Sequence, residues 1–528
     1  MLTRRVVMVG VVVTASLFVA STAGAVAAQP ARQVAASELV RRLGAGQTVD
    51  ETGLTVTGTL DLRSIGTVSA PLRCLNCDFL GDLIAPDVLF TRIVVLSGSH
   101  FFGTIDLRGA VFDDGFFVRT SSRPSTFDRF ALFSLATFGD TAAFDGATFA
   151  SEGNFTGARF LADASFVDTT FRGVARFNQT GFGAGALFSA STAGGGAPSS
   201  ATCATTVGGS FQDVAVFTRT VFTGPADFRQ RCFRGKADFS NAAFGSRANF
   251  SLSQFAAFAS FDDVGFEGDA LFLGTRFERS SASFVQVSGA RTMSFEDASF
   301  HGNVAFFGLA VSGALSFAHA SFGGGVDLRK LIANDLTMDV ETVKRIPDAV
   351  VQERVLALIE SSARARGDVA TANDARFKLL SLDGRQSGGF KRWVDAVLYK
   401  TIAGYLVRPV HPLLSFLAVL LLAGLVRATI RRRRDGRRRD RKSRPRVSSL
   451  AIVKWLSAFF EGLGDTMSAA FRRKPQVDLT EREQVRPYLI AGLVWAEYLA
   501  FKVLFVLFLL CLANSNATLR QILDSVTR

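Results

Sequence analysis

Phenylalanine recurs along this chain at alternating steps of five and six residues. Between Phe133 and Phe188 the register holds without a break, and it resumes from Phe211 to Phe277. A small residue, most often alanine, lies two positions before most of these phenylalanines. Apolar residues recur about every 3.6 positions in a helix and every second position in a strand, so neither element explains the pattern. The chain must instead turn a corner about every five residues.

Four such faces make one coil of about 22 residues, which is a period typical of repeat architectures. Each face sends one large and one small side chain inward. Successive coils stack at strand spacing, about 4.8 Å, with backbone hydrogen bonds along the stacking axis. No single coil can bury its aromatic side chains alone, so the repeat predicts a solenoid. The predicted core positions are Phe133, Phe138, Phe144, Phe149, Phe155, Phe160, Phe166, Phe171, Phe177, Phe217, Phe222, Phe228, Phe239, Phe244, Phe250 and Phe261.

This A-x-F spacing resembles the pentapeptide-repeat family, whose usual central residue is Leu or Phe. The resemblance covers about residues 55 to 332 and implies a mainly β chain with a right-handed quadrilateral β-helix. We expect roughly nine coils in a rod about 45 Å long. Some cytosolic members of that family have an acidic rod that resembles duplex DNA. Here 16 basic residues oppose 19 acidic ones between Leu107 and Leu328, so the rod is nearly neutral and we expect no nucleic-acid partner.

The N-terminal part of the sequence has the pattern of an exported protein, and a capping helix is expected before the rod. Residues 1–28 have the pattern of a secretory signal peptide, with an uncleaved N-terminal anchor as the alternative. A helix over 36–50 is expected to cover the open edge of the first coil. The β-helix is expected over 51–332. Its insertion 189–210 is rich in Gly, Ser, Thr and Ala and should bulge out as a surface loop.

Four cysteines belong to this exported part. Cys203 in the insertion and Cys232 on the rod are expected to form a disulfide, because exported proteins meet oxidising conditions. Cys74 and Cys77 form a C-x-x-C pair, which fits a structural disulfide, two free thiols, or half of a redox or metal site. No second pair at zinc spacing and no nearby histidine supports the last interpretation.

Helical periodicity replaces the phenylalanine ladder over 333–405, where helices are expected to close the end of the rod. Residues 410–430 and 488–513 are each apolar enough to predict a transmembrane helix. The tail 514–528 would then emerge on the outer side.

The stretch 431–448 between these two segments is strongly basic. Residues 427–446 hold twelve Arg or Lys against two Asp, which accounts for most of the net charge of +13. The positive-inside rule places such a stretch in the cytoplasm. Residues 449–471 have one apolar and one charged side, which predicts an amphipathic helix in the cytoplasmic interface.

The sequence holds little that indicates catalysis. Its four histidines are scattered, with no carboxylate or cysteine partner at ligand spacing, and we see no nucleophile motif and no phosphate loop. We therefore expect no enzyme activity, no cofactor and no metal.

Two features of the C-terminal part suggest other functions. Gly462, Leu463, Gly464 and Asp465 resemble a degenerate form of the G-Y-G-D signature of two-helix potassium channels. The family's Thr positions are Phe and Glu here, and the basic stretch places the segment inside, whereas a pore loop enters from outside. An interfacial helix is the competing interpretation.

Glu497 and Lys502 lie within the second predicted span. Charged groups there are costly and often functional, but long side chains near the interface also anchor a helix by snorkelling. The sequence leaves both interpretations open.

The favoured function is a non-enzymatic, membrane-anchored scaffold at the cell surface. The rod would be extracytoplasmic, the protein would be a multi-pass protein of the cell membrane, and the basic loop would be cytoplasmic. Its partners would be the lipid bilayer and a protein or cell-wall component, and assembly into a homo-oligomer stays open. The alternative is a two-helix ion-channel-like protein in which the rod is a sensor or assembly domain.

Overall fold

The structure is a computed structural model that describes residues 32–191, 203, 209–278, 281–386, 395–402, 410–439 and 487–515. Short parallel strands form four sheets, which are the four faces of a β-solenoid of about 13 turns. The mainly β solenoid predicted from the phenylalanine ladder is therefore confirmed. The predicted number of coils, roughly nine, was too low, because Leu, Ile and Val fill the inward positions of the first coils, as at Leu72, Leu83 and Val94.

The chain passes through faces 1, 2, 3 and 4 in order. The strands of face 1 are Gln33–Ala35, Thr55–Thr57, Asp78–Phe79, His100–Phe101, Thr126–Phe127, Thr148–Phe149, Thr170–Phe171, Ser210–Phe211, Cys232–Phe233, Gln254–Phe255, Arg276–Phe277, Ser299–Phe300 and Ser321–Phe322. Those of face 2 are Leu60–Asp61, Leu83–Ile84, Ile105–Asp106, Ala131–Leu132, Gly153–Asn154, Ala175–Arg176, Ala215–Val216, Ala237–Asp238, Ala259–Ser260, Ala282–Ser283, Val304–Ala305 and Val326–Asp327.

Face 3 has fewer strands than the other faces, and face 4 contains the longest strands. The strands of face 3 are Thr67–Val68, Leu89–Phe90, Val111–Phe112, Thr137–Phe138, Arg159–Phe160, Gly181–Phe182, Val221–Phe222, Ala243–Phe244 and Gly265–Phe266. Those of face 4 are Val49–Thr52, Leu72–Leu75, Val94–Val95, Phe116–Phe117, Ala142–Ala143, Ala164–Ser165, Ala186–Leu187, Ala226–Asp227, Ala248–Asn249, Ala270–Leu271, Thr292–Ser294, Ala310–Ser316 and Ile332–Thr337.

Aromatic rings fill the centre of the solenoid. Within one face the rings of successive coils stack in parallel, as Phe155 and Phe177 do at 4.9 Å between centroids and 2° between planes. Rings from facing columns meet edge to face, as Phe155 and Phe166 do at 5.3 Å and 87°. Both arrangements are favourable for aromatic quadrupoles. Burial of apolar surface across all coils therefore holds the solenoid together.

Both ends of the solenoid are covered. At the start, helix α1 (Ala36–Gly44) packs Leu39 and Leu43 into the core. At the end, helix α2 (Ala349–Ala365) does the same through Val355 and Ile359. Helix α3 (Val369–Gln386) packs on α2. These helices protect the terminal coils from edge-to-edge association with other strands.

Several boundaries differ from those predicted. The capping helix ends at Gly44 rather than at 50, because Val49–Thr52 already pairs with the next coil. The solenoid ends at Thr337 rather than at 332, because Ile332–Thr337 adds a last strand to face 4. A short π-helix covers Asp395–Ile402 in the predicted helical segment.

Helices α4 (Val410–Arg439) and α5 (Pro487–Ser515) contain the two predicted spans. They pack against each other through Leu420 and Phe501, and helix α4 continues into the first part of the predicted basic loop. Side chains are described over 410–423 and 425 in α4 and over 495–496 and 498–511 in α5. Among the residues so described, no helix forms a stretch long and apolar enough to cross a membrane.

Candidate functional site

The sixteen predicted core phenylalanines all lie inside the solenoid, and none is more than 1% exposed. They hold the fold together and are out of reach of a ligand in solution. Any binding or chemistry by the solenoid must therefore use its outer faces and corners.

Some inward positions carry a hydroxyl group instead of alanine. The Thr169 hydroxyl donates a hydrogen bond to the Phe144 carbonyl oxygen at 2.8 Å, and Thr180 bonds Phe155 in the same way. In both cases the acceptor carbonyl lies in the coil below the donor. These buried hydroxyls are thus satisfied, as a stable core requires.

Irregular features gather at one corner of the solenoid, where each coil passes from face 4 to face 1. We call this corner the insertion edge, because two insertions leave the coil there. Phe101 pairs with Phe127 and Phe171 pairs with Phe211, so the coils between these partners are longer than the regular ones. Insertions on a solenoid often lie on the binding face, so this edge is the candidate functional site.

The first insertion folds back along the insertion edge through Arg123. Its guanidinium donates hydrogen bonds to the backbone carbonyls of Gly98 (2.7 Å), Asn76 (3.0 Å) and Cys77 (3.1 Å) and pairs with the carboxylate of Asp78. Because these partners lie one and two coils below, the arginine ties three coils together.

Cys74 and Cys77 form a disulfide beneath this arginine, with their Cα atoms 5.7 Å apart. Both residues are fully buried, and Cys74 takes the place that Phe144 and Phe166 hold in later coils of face 4. The structural-disulfide interpretation is confirmed. Both sulfur atoms are joined in this disulfide, and both residues are 0% exposed.

The second insertion is fastened to face 1. Cys203 forms the predicted disulfide with Cys232, and its carbonyl accepts a hydrogen bond from Nε of Arg234 at 3.0 Å. The outward-facing residues of this part of face 1 are consequently buried, as Ser210 and Cys232 are. Cys203 is therefore held over face 1, and the rest of the predicted surface loop, 192–202 and 204–208, lies outside the described residues.

Arg231 is the most unusual residue of the insertion edge. It is fully buried at a position where other coils carry Thr169, Ser253 or Thr275. Its Nη2 donates to the carbonyl of Thr169, and its guanidinium lies 4.7 Å from the ring centre of Phe211. Nε and Nη1 have no hydrogen-bond partner among the residues that the structure describes.

Burial lowers the pKa of Arg231 to about 9, and the charge of Asp168 opposes that shift only in part. A buried cation with unsatisfied donors costs free energy. Gly209 is required beside it, because a Cβ there would clash with Nη1 of Arg231. The arginine is therefore accommodated by the fold at a cost in stability.

Replacing Arg231 with methionine is expected to raise the free energy of unfolding by about 1–4 kcal/mol, because similar volume is kept without the buried charge. Below pH 9 the guanidinium is charged in both folded and unfolded chains, so the full increase in the free energy of unfolding is expected there. As the pH rises above 9, the Arg231 guanidinium loses its proton in the folded chain before it does so in the unfolded chain. The unsubstituted protein therefore becomes more stable, and its difference from the methionine variant decreases. Guanidinium chloride denaturation at pH 7 and pH 10 measures both effects.

The exposed Arg172 supplies the matched control for that prediction. Arg172→Met should change stability by no more than about 0.5 kcal/mol. A less stable Arg231→Met protein would show instead that its hydrogen bond and ring contact outweigh the cost of burial.

Two histidines have carboxylate partners that sequence reasoning missed. Nε2 of His100 lies 2.9 Å from Oδ2 of Asp128, and Nδ1 of His319 lies 3.6 Å from Oδ1 of Asp297. The sequence shows no carboxylate at ligand spacing from either histidine, because both partners are distant along the chain. Asp297 and His319 are one regular coil apart, so the coil length itself could have revealed the second pair.

The C-terminal candidates remain predictions. Gly462, Leu463, Gly464 and Asp465 lie outside the described residues, as do residues 1–28, 440–448 and 449–471. The side chain of Glu497 is not described. Lys502 is exposed, and its Nζ lies 5.7 Å from the ring centre of Tyr498, an arrangement that suits a snorkelling lysine.

No protein-family model, no curated protein and no solved structure matches this chain. Its fold is therefore assigned from its own geometry. Four parallel sheets, about 13 turns and inward phenylalanines at five- and six-residue steps fit a pentapeptide-repeat fold.

Proposed function

We propose that this chain is a non-enzymatic scaffold, anchored in a membrane, whose solenoid lies outside the cytoplasm and binds a protein or cell-wall partner. The observation that carries the proposal is the closed, filled solenoid, whose outward side chains repeat once per coil in register. A rigid row of this kind offers an extended surface without having to be ordered on binding.

Besides the insertion edge, face 2 offers the partner a second surface. Its outward positions carry Asn154, Arg176 and Asp238 on nearby coils, and Arg176 pairs with Glu152 at 2.9 Å. Leu132 precedes this row and Val216 lies between Arg176 and Asp238, so the row combines polar and apolar groups, which suits a partner with an extended, regular structure such as a polymer or a second solenoid.

The membrane anchor is supported by the apolar side chains that helices α4 and α5 expose. The exposed residues are Leu413, Leu414, Leu417, Leu421, Leu422 and Leu425 on α4 and Leu499, Val503, Phe505, Val506, Leu509 and Leu510 on α5. Water is a poor solvent for two such surfaces, and lipid chains would cover them. The arginines at the end of α4 would then remain on the cytoplasmic side.

Export is supported by the signal-peptide pattern of residues 1–28 together with the two disulfides. Disulfides form and persist mainly in oxidising compartments.

Single cysteines at three serines test this topology in intact cells with a membrane-impermeant maleimide. In a Cys511→Ser background, which removes the cysteine outside both disulfides, Ser321→Cys on the solenoid and Ser515→Cys at the end of α5 should be labelled. Ser449→Cys should be labelled only after permeabilisation, because it follows the basic stretch. Labelling of all three positions from the same side would contradict the proposal.

A further inference from the structure

We propose that Glu296, Asp297 and His319 form a binding site for a divalent transition-metal ion, and that zinc fits it best. The three residues lie on the insertion edge near the C-terminal end of the solenoid. Among the described residues, they offer three ligand atoms that all lie within 4.8 Å of one another. Imidazole nitrogen and carboxylate oxygen are both ligands that zinc accepts.

The distance between imidazole and carboxylate favours a shared metal over a direct bond. Nδ1 of His319 lies 3.6 Å from Oδ1 of Asp297, which is beyond the range of about 2.7–3.2 Å for a hydrogen bond to nitrogen. In a tetrahedral site with metal–ligand bonds of about 2.0–2.1 Å, neighbouring ligand atoms are about 3.4 Å apart. The observed distance is close to that value.

The other histidine–aspartate pair of the solenoid provides a contrast. Nε2 of His100 lies 2.9 Å from Oδ2 of Asp128, which is an ordinary hydrogen bond. The two histidines thus meet their carboxylates in different ways, although each pair spans neighbouring coils.

The backbone holds the proposed ligands in fixed positions. Asp297 and His319 occupy equivalent corner positions of successive coils, and both have left-handed backbone conformations, with φ of 56° and 55°. The Asp297 amide donates to the carbonyl of Ala318 at 3.0 Å, which ties the two corners together. Glu296 precedes Asp297, and its carboxylate lies within 4.8 Å of the other two ligand atoms.

The site is open to solvent, since the His319 and Asp297 side chains are 77% and 70% exposed. A metal ion can enter directly, and the fourth position of a tetrahedral ion would stay free for water or for a ligand from a partner. Calcium and magnesium prefer a full set of oxygen ligands, so the imidazole selects against them.

Calorimetric titration of zinc chloride into the purified full-length protein tests the proposal. We expect one zinc ion per chain at this site, with affinity at least about tenfold lower in His319→Asn and in Asp297→Asn, because losing a ligand should cost no less than losing its supporting partner. Asparagine tolerates the left-handed backbone at both positions, so the fold should be kept. Far-UV circular dichroism checks that it is.

His100→Asn is the matched control, because it removes the imidazole of the hydrogen-bonded pair. This variant should bind zinc like the unsubstituted protein, and magnesium chloride should give no comparable titration. The proposal is overturned if the His319→Asn protein binds zinc as tightly as the unsubstituted one, or if the unsubstituted protein shows no zinc uptake.

Discussion

Phe177→Ala is expected to lower the free energy of unfolding by about 3–5 kcal/mol. Phe177 is fully buried and stacks between Phe155 and Phe217, with 4.9 Å between centroids on each side. It also meets Phe166 and Phe188 edge to face at 5.3 and 5.2 Å. Alanine would remove these four ring contacts together with those to Phe171 and Phe182.

The cavity left by that substitution cannot close easily. The coils above and below are held at strand spacing by backbone hydrogen bonds, such as the one from the Phe177 amide to the Val216 carbonyl at 2.7 Å. A core that cannot relax loses both the transfer free energy and the contacts around the void.

Equilibrium denaturation followed by circular dichroism measures this loss. Phe177→Leu keeps most of the volume and should cost less than about 1.5 kcal/mol. Phe130→Ala is the surface control, because Phe130 is 52% exposed, and its stability should change far less. Equal losses for Phe177→Ala and Phe130→Ala would mean that the phenylalanine columns do not stabilise the fold. Because a solenoid can unfold in parts, the comparison rests on the transition midpoints.

The double variant Cys203→Ser/Cys232→Ser is expected to be about 2–4 kcal/mol less stable. The disulfide joins residues 29 positions apart, so its loss frees a long loop in the unfolded chain and raises that state's entropy. In the folded chain, Cys203 would no longer be held over face 1, where its carbonyl accepts the Arg234 hydrogen bond. Both changes favour unfolding.

Denaturation with and without reductant gives the measurement its internal control. Reductant should destabilise the unsubstituted protein by at least as much as the double substitution does. In the double variant, reductant can act only through the Cys74–Cys77 disulfide, which closes a loop of three positions and constrains the unfolded chain less. If the double variant unfolds at the same denaturant concentration as the unsubstituted protein, the disulfide does not stabilise the fold.

The solenoid was readily predicted because its information is local and periodic. Each five-residue face specifies one inward phenylalanine, and an error at one face does not disturb the next. For this reason Phe133 and Phe261 could be assigned to the same core without any knowledge of distant contacts. The pairing of Cys203 with Cys232 was also predictable, since the sequence offers Cys203 few other cysteines as partners.

The insertion edge could not be predicted in the same way. In the sequence Arg231 resembles any other polar residue of a corner, and its burial against Thr169, Phe211 and Gly209 depends on how the coils stack. Arg123 lies in a short insertion, and its contact with Asp78, two coils below, depends on how the coils stack. The boundary at Thr337 was missed because the last strand, Ile332–Thr337, lacks phenylalanine and places Leu336 in the core instead.

From the sequence alone one learns that the chain winds into a four-faced, phenylalanine-filled column, because apolar period and corner spacing are properties of neighbouring residues. Only the tertiary structure decides which residues meet across coils. Asp297 and His319, and Cys203 and the surface of face 1, come together through coil stacking and insertion packing. Those contacts depend on the register between successive coils and on its interruptions, so they become visible only when the coils are stacked.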